Sequence, residues 1–235
     1  MKILLIPLML AILISSAANA QDNTSAYWAS QGSNLIEQYK YDDALKAYDR
    51  ALEINESYIA ARAGRSEALW HLGRYNESLV DSDKALKLDP NYVRAWVSRG
   101  VSLHGLADFN GSRQAFDRAI EVDPNYAMAW NDEAWLFYKY DMYQDAIDYS
   151  DRAISRLSQD LAATLDTKAM ALAKLGRNEE ALQYIDKSLE LTPDDSIVWT
   201  HRGDILKALG NQTGSEEAYA RAKELPEQVM DESSV

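Results

Sequence analysis

Six stretches of this 235-residue chain repeat one another at a fixed offset, and that limits the possible folds more than any other feature. DDALKAYDRALEINE, NESLVDSDKALKLDP, NGSRQAFDRAIEVDP, YQDAIDYSDRAISRLS, NEEALQYIDKSLELTP and TGSEEAYARAKELPE align almost without gaps. The periods run over 25–58, 59–92, 93–126, 127–161, 162–195 and 196–229; five have 34 residues and one has 35, so they cover 205 of 235 positions. Within each period two stretches carry apolar residues at helical spacing, separated by a short turn such as Gly73-Arg74 or Gly176-Arg177. Pro90, Pro124 and Pro193 follow the second stretch, where a proline ends a helix without removing an internal hydrogen bond. One helix pair is too small to bury its own apolar face, so neighbouring pairs must stack. The reading is all-α: an α-solenoid of antiparallel helix pairs.

Particular positions recur with the period. Trp28, Trp96, Trp130 and Trp199 hold the fourth place, and Gly32, Gly100 and Gly203 the eighth. Ala44, Ala146 and Ala181 fill the twentieth, Tyr48, Phe116 and Tyr219 the twenty-fourth, and Ala51, Ala85, Ala119, Ala153 and Ala222 the twenty-seventh. This pattern resembles the tetratricopeptide repeat family, which implies that the α-solenoid is right-handed. The departures are Arg62 and Leu165 at the fourth place of the second and fifth repeats, and Ser158 where a proline is expected in the fourth. Ser158, beside the extra residue, is expected to loosen the junction between repeats four and five.

Residues 1–20 read as an address rather than as structure. Lys2 precedes an apolar run of 12 residues, Ile3 to Ile14, and Ala18-Asn19-Ala20 offers the small side chains that signal peptidase requires. A spanning helix needs about 20 apolar residues. The expectation is cleavage between Ala20 and Gln21, a short leader at 21–24 and a polar tail at 230–235; an uncleaved anchor is the alternative. The protein is then extracytoplasmic, with no stable membrane insertion once the signal is removed. It contains no cysteine, so its stability rests on packing without disulfides.

No catalytic or metal constellation appears. His71, His104 and His201 stand in three repeats with no acidic residue at a fixed spacing, and paired acids such as Asp42-Asp43 and Glu179-Glu180 open second helices, where they complement the helix dipole. The expectation is a non-enzymatic chain with no cofactor and no metal. A net charge of −13 disfavours nucleic acid as a partner.

Five of eleven asparagines, Asn23, Asn55, Asn76, Asn110 and Asn211, stand in glycosylation sequons, the last four near turns and none in a first helix. Asparagine and serine also favour turns for local reasons. Ser78 and Ser112, which replace the alanine of the twentieth place, tilt the balance toward glycosylation.

The resemblance implies a groove lined by first helices, with places two, five, nine and twelve facing it. That register gives Trp70 in repeat two, then Arg94, Val97, Val101 and His104 in repeat three, then Met128, Asn131, Trp135 and Tyr138 in repeat four. Trp70 and Trp135 are the expected anchors for a partner's side chains, unless they pack against neighbouring first helices. The lysine and asparagine with which some family members hold a carboxyl-terminal peptide are missing from every repeat; Asn131 and Trp135, for example, stand there in repeat four. The implied function is a protein-interaction scaffold binding a peptide or helix. An envelope component that stacks end to end is the alternative, and oligomeric state is open.

Overall fold

The computed structural model describes residues 24–156 and 161–225. The expectations for residues 1–20, Gln21, Asn23, Ser158 and the tail fall outside that range. Among the described residues there are twelve α-helices and no strand: α1 (Ser25–Glu37), α2 (Tyr41–Ile54), α3 (Ile59–His71), α4 (Tyr75–Leu88), α5 (Val93–Gly105), α6 (Phe109–Val122), α7 (Ala127–Lys139), α8 (Tyr143–Ile154), α9 (Leu161–Lys174), α10 (Asn178–Leu191), α11 (Ser196–Ala208) and α12 (Gln212–Glu224). The chain divides into two compact bodies, Met1–Leu106 and Ala107–Val235. In the first, α1 packs on α2 and α3 on α4; in the second, α7 packs on α8, α9 on α10 and α11 on α12.

In both bodies successive first helices also touch, α1 with α3, α3 with α5, α7 with α9 and α9 with α11. Among the described residues no pair of second helices makes comparable contact. Each stack is therefore tighter along its first helices, as small side chains on those helices allow. Ala61, Ala68, Ala95, Ala129, Ala134, Ala169 and Ala171 are fully buried. The core of the second body gathers around Phe137, Ile147, Leu172, Ile185 and Ile205, and that of the first around Tyr48 and Leu52.

Local chemistry explains the recurring positions. A side-chain carbon added to Gly32 would lie 2.7 Å from the Tyr48 ring, and one added to Gly203 would lie 2.5 Å from the Tyr219 ring. Glycine at the eighth place thus admits the aromatic of the twenty-fourth. The indole N–H of Trp96, Trp130 and Trp199 donates to the carbonyl of Pro90, Pro124 and Pro193 at 2.8, 2.9 and 2.8 Å, tying each first helix to the proline that ends the preceding repeat. Of the four packing tryptophans Trp130 is buried, while Trp28, Trp96 and Trp199 are half-buried.

The turn inside each repeat demands a left-handed residue at place fifteen. Gly73, Gly176 and Gly210 supply it at φ 69°, 75° and 77°, while Tyr39, Ala107 and Asp141 are held at 58°, 59° and 60°. After five of these turns the next amide bonds back to the helix five residues earlier, as in Arg74 to Leu69 and Arg177 to Leu172, both 2.9 Å. The closing hydrogen bond holds Tyr39 and Asp141 in a conformation that costs each about 1–2 kcal/mol.

Where the second repeat has Arg62 in place of tryptophan, an ion network fills the gap. Asp81 of α4 is 3 % exposed and accepts two hydrogen bonds from Arg65, at 2.6 and 2.8 Å. The Arg62 guanidinium, itself buried, lies 3.5 Å from the same carboxylate. Beside it, Ser78 is completely buried and bonded to the Ser66 and Ser102 hydroxyls at 2.9 and 2.6 Å.

Candidate partner-binding faces

The nine residues expected to line a groove fall into two sets, five on the first body and four on the second. On the first body Val97 departs from the expectation: it is only 6 % exposed. Ala29 and Ala63 hold the same fifth place and are buried too. Where α1, α3 and α5 touch, that place lies in the seam between first helices, and side chains there are spent on packing. Trp70 is half-buried, its ring edge against His71 at 4.7 Å, and His71 stacks on Tyr41 at 4.1 Å. The Trp70 indole nitrogen is buried without a hydrogen-bond partner, so this ring sits deeper than an exposed anchor would. Val101 and His104 are half-buried, and Arg94 pairs with Glu67 of α3 at 3.0 Å. Little of this face remains to grip a partner.

The second body offers more. Met128 is 41 % exposed, and Trp135 and Tyr138 are half-buried on the same helix, α7. The Lys139 ammonium stands 5.4 Å over the Trp135 ring, and the Tyr138 ring leans on Tyr143. Asn131 accepts a hydrogen bond from the Thr164 hydroxyl of α9 at 2.6 Å, which fixes its amide. Asp166 of α9 and His201 of α11 meet at 2.8 Å through Oδ1 and Nδ1. Burial opposes a charge on His201, but the Asp166 carboxylate on its ring lifts its pKa above the usual imidazole value. Burial, then Asp166, Asp141 and Asp204, push the Tyr138 phenol up, so its hydroxyl stays protonated and able to donate. Asp204 accepts from the Tyr219 hydroxyl at 2.6 Å.

The Asp166–His201 pair escaped the spacing argument, which sought an acid near each histidine along the chain. Its partners are 35 residues apart, one repeat plus one position, and only the stack of α11 on α9 joins them. Register by repeat, rather than distance in sequence, is the signal that finds it. Among the described residues no group of three acids or histidines is placed to hold a metal ion, and no helix is long and apolar enough to cross a membrane.

The sequons also take definite positions. Asn76 and Asn110 are the second residues of α4 and α6, a step inside the helix rather than in the turn before it. Asn211 caps α12 by accepting from the Gly214 amide, and Asn55 ends α2 while accepting from the Ser57 amide at 3.0 Å. All four are exposed. Ser78 and Ser112 are completely buried, so burial gives them a use that owes nothing to a sequon.

A tetratricopeptide repeat family model matches residues 30–92, 99–162 and 167–229. The chain belongs to the tetratricopeptide repeat family. Solved tetratricopeptide repeat structures share its fold: a protein from Parabacteroides merdae at TM-score 0.67 and 21 % identity, over 87 % of this chain and 80 % of that one, and a thermophilic protein of Thermus thermophilus at 0.69 and 20 %, over 79 % and 98 %. A chain of the Cut9–Hcn1 hetero-tetramer of the APC/C matches at TM-score 0.80 and 13 % identity over 96 % of this chain, which spans less than half, 45 %, of that one. No curated protein sequence matches this chain. Tetratricopeptide repeat proteins are in general non-enzymatic scaffolds for protein–protein interaction.

Proposed function

We propose that the protein is a non-enzymatic interaction scaffold that works outside the cytoplasm and holds an extended peptide or a helix against the first helices of its second body. The observation that carries this reading is the α7–α9–α11 side of the second body, where Tyr138 lies within reach of the Asp166 and Asp204 charges, Asp166 bonds His201, and Met128 and Trp135 share the helix of Tyr138. Half-buried aromatic rings give a partner large contact area at little entropic cost, and polar groups around them fix its orientation. The net charge of −13 argues against nucleic acid.

Affinity capture from the native secretome, followed by titration with the partner recovered, tests the reading. Trp135→Ala and Tyr138→Ala should each weaken binding by about 2 kcal/mol, roughly thirtyfold in Kd, while the helical circular dichroism stays unchanged. Unchanged affinity in both variants would move the partner off this face.

The extracytoplasmic address rests on residues 1–20. Mass spectrometry of exported protein should give a chain beginning at Gln21, with sugar on some of Asn55, Asn76, Asn110 and Asn211 where the host glycosylates. The exposed amides support this, since Asn55 and Asn211 engage only their oxygens in the cap bonds and leave Nδ2 for a glycan. A mass that retains Met1 on a membrane-bound product would replace the signal with an anchor. Four bare asparagines in a glycosylating host would leave turn and cap chemistry as their whole explanation.

A further inference from the structure

The ion pairs between repeats follow one rule and break it once. Place seven of the first helix is Arg65, Arg99, Lys168 and Arg202 in repeats two, three, five and six, and place twenty-five of the repeat before it is an aspartate. The pairs form at 2.6 Å for Arg65–Asp49, 2.9 Å for Arg99–Asp83 and 2.7 Å for Arg202–Asp186, and Lys168 likewise holds Asp151. In repeat four the seventh place is Glu133, and the aspartate before it is Asp117. An acid faces an acid where every other such junction sets a cation.

Glu133 is also completely buried, and neither of its carboxyl oxygens has a hydrogen-bond partner. The charges that reach it come from two helices, Asp117 and Arg113 from α6 and Arg152 from α8, with the titratable Tyr149 of α8 close by. α9, which also packs on α7, adds none to that set. Both arginines are turned to other tasks. Arg113 lies 5.7 Å over the Phe137 ring and 3.8 Å from Asp117, while Arg152 lies 5.2 Å over the Trp130 ring and 5.3 Å over Tyr149. A carboxylate in that place would be an uncompensated buried charge, whereas a neutral acid is tolerated.

We propose that the α6–α7 joint is a pH-sensitive element, closed while Glu133 is a neutral acid and loosened when Glu133 ionises. Burial, with Asp117 adding to it and the two arginines opposing, raises the Glu133 pKa to about 8. The folded pKa lies above the unfolded one, so the contribution to stability is full below about pH 4.5 and is lost as pH rises through about 8. α7 also carries Asn131, Trp135 and Tyr138, so ionisation would reach the face assigned to partner binding. That consequence depends on the proposed function; the titration itself does not.

Two measurements test it. Carboxyl 13C NMR of the wild-type chain should place the Glu133 midpoint near 8, far above the other glutamates. In urea unfolding between pH 5.5 and 7.5, the wild-type folding constant should fall roughly a hundredfold relative to that of Glu133→Gln, which keeps the shape but cannot ionise. Parallel profiles of the two proteins, or a midpoint below pH 5.5, would overturn the proposal. The NMR titration uses the unaltered chain and decides the matter even if the glutamine variant does not fold.

Discussion

Trp130→Ala should cost about 3–5 kcal/mol and open the middle of the second body, because it removes a buried aromatic from a site with several simultaneous attachments. Trp130 is 7 % exposed and donates to the Pro124 carbonyl at 2.9 Å. Its ring contacts Tyr149 at 5.5 Å between centroids, with the guanidinium groups of Arg152 and Arg156 at 5.2 and 5.0 Å. The alanine variant leaves a cavity and two cations without the ring face they occupy. Arg156 still donates to the same proline carbonyl, so that acceptor is not orphaned and the loss is mainly one of packing. Trp96→Ala removes the same link from a half-buried ring, and about 1–3 kcal/mol is expected there. Trp135→Ala, which removes a ring only half-buried, should cost less than Trp130→Ala. Thermal melts of the three variants test the order. Trp135→Ala unfolding as readily as Trp130→Ala would show that Trp135 is packing and not part of a binding face.

Asp81→Ala should be comparably damaging, at about 3–5 kcal/mol, for an electrostatic reason. The carboxylate answers two guanidinium groups at once, and without it Arg62 is a buried cation whose nearest acid, Glu56, is 3.4 Å away and almost fully exposed. Arg65 keeps Asp49 at 2.6 Å and loses less. The double variant Arg62→Leu with Asp81→Ala should therefore recover much of the loss, since apolar groups replace a buried pair with little net cost. A double-mutant cycle in urea measures the coupling. Loss of under about 1 kcal/mol in Asp81→Ala would mean that water reaches Arg62 and the network is effectively at the surface.

The arrangement of helices was legible because it is written repeatedly. A tryptophan alone says little, but Trp96, Trp130 and Trp199 each stand six residues after a proline whose carbonyl they bond. Gly32 with Tyr48 and Gly203 with Tyr219 likewise show a local steric need satisfied by residue type at fixed spacing. Side-chain direction was less legible. The helical register placed Val97 in a groove, yet the approach of α5 to α3 buried it, and one step of about 100° on a helix cannot distinguish the edge of a groove from a seam between helices. The serines at place twenty suggested sugar, but Ser78 proved to belong to a buried hydroxyl cluster whose members come from three helices.

The sequence by itself determined the helices, their pairing and their turns, because these depend on neighbours within one 34-residue period, where apolar spacing, helix caps and glycine or proline act locally. Only the tertiary structure decided which residues of different periods share a site. His201 and Asp166 form a pair because α11 lies on α9. Glu133 is an unpartnered buried acid because it stands on α7 where the repeat register calls for a cation, facing Asp117 of α6. Contacts between periods depend on small offsets accumulated as helices stack, and a change of a few ångströms decides whether two charges bond, repel or never meet.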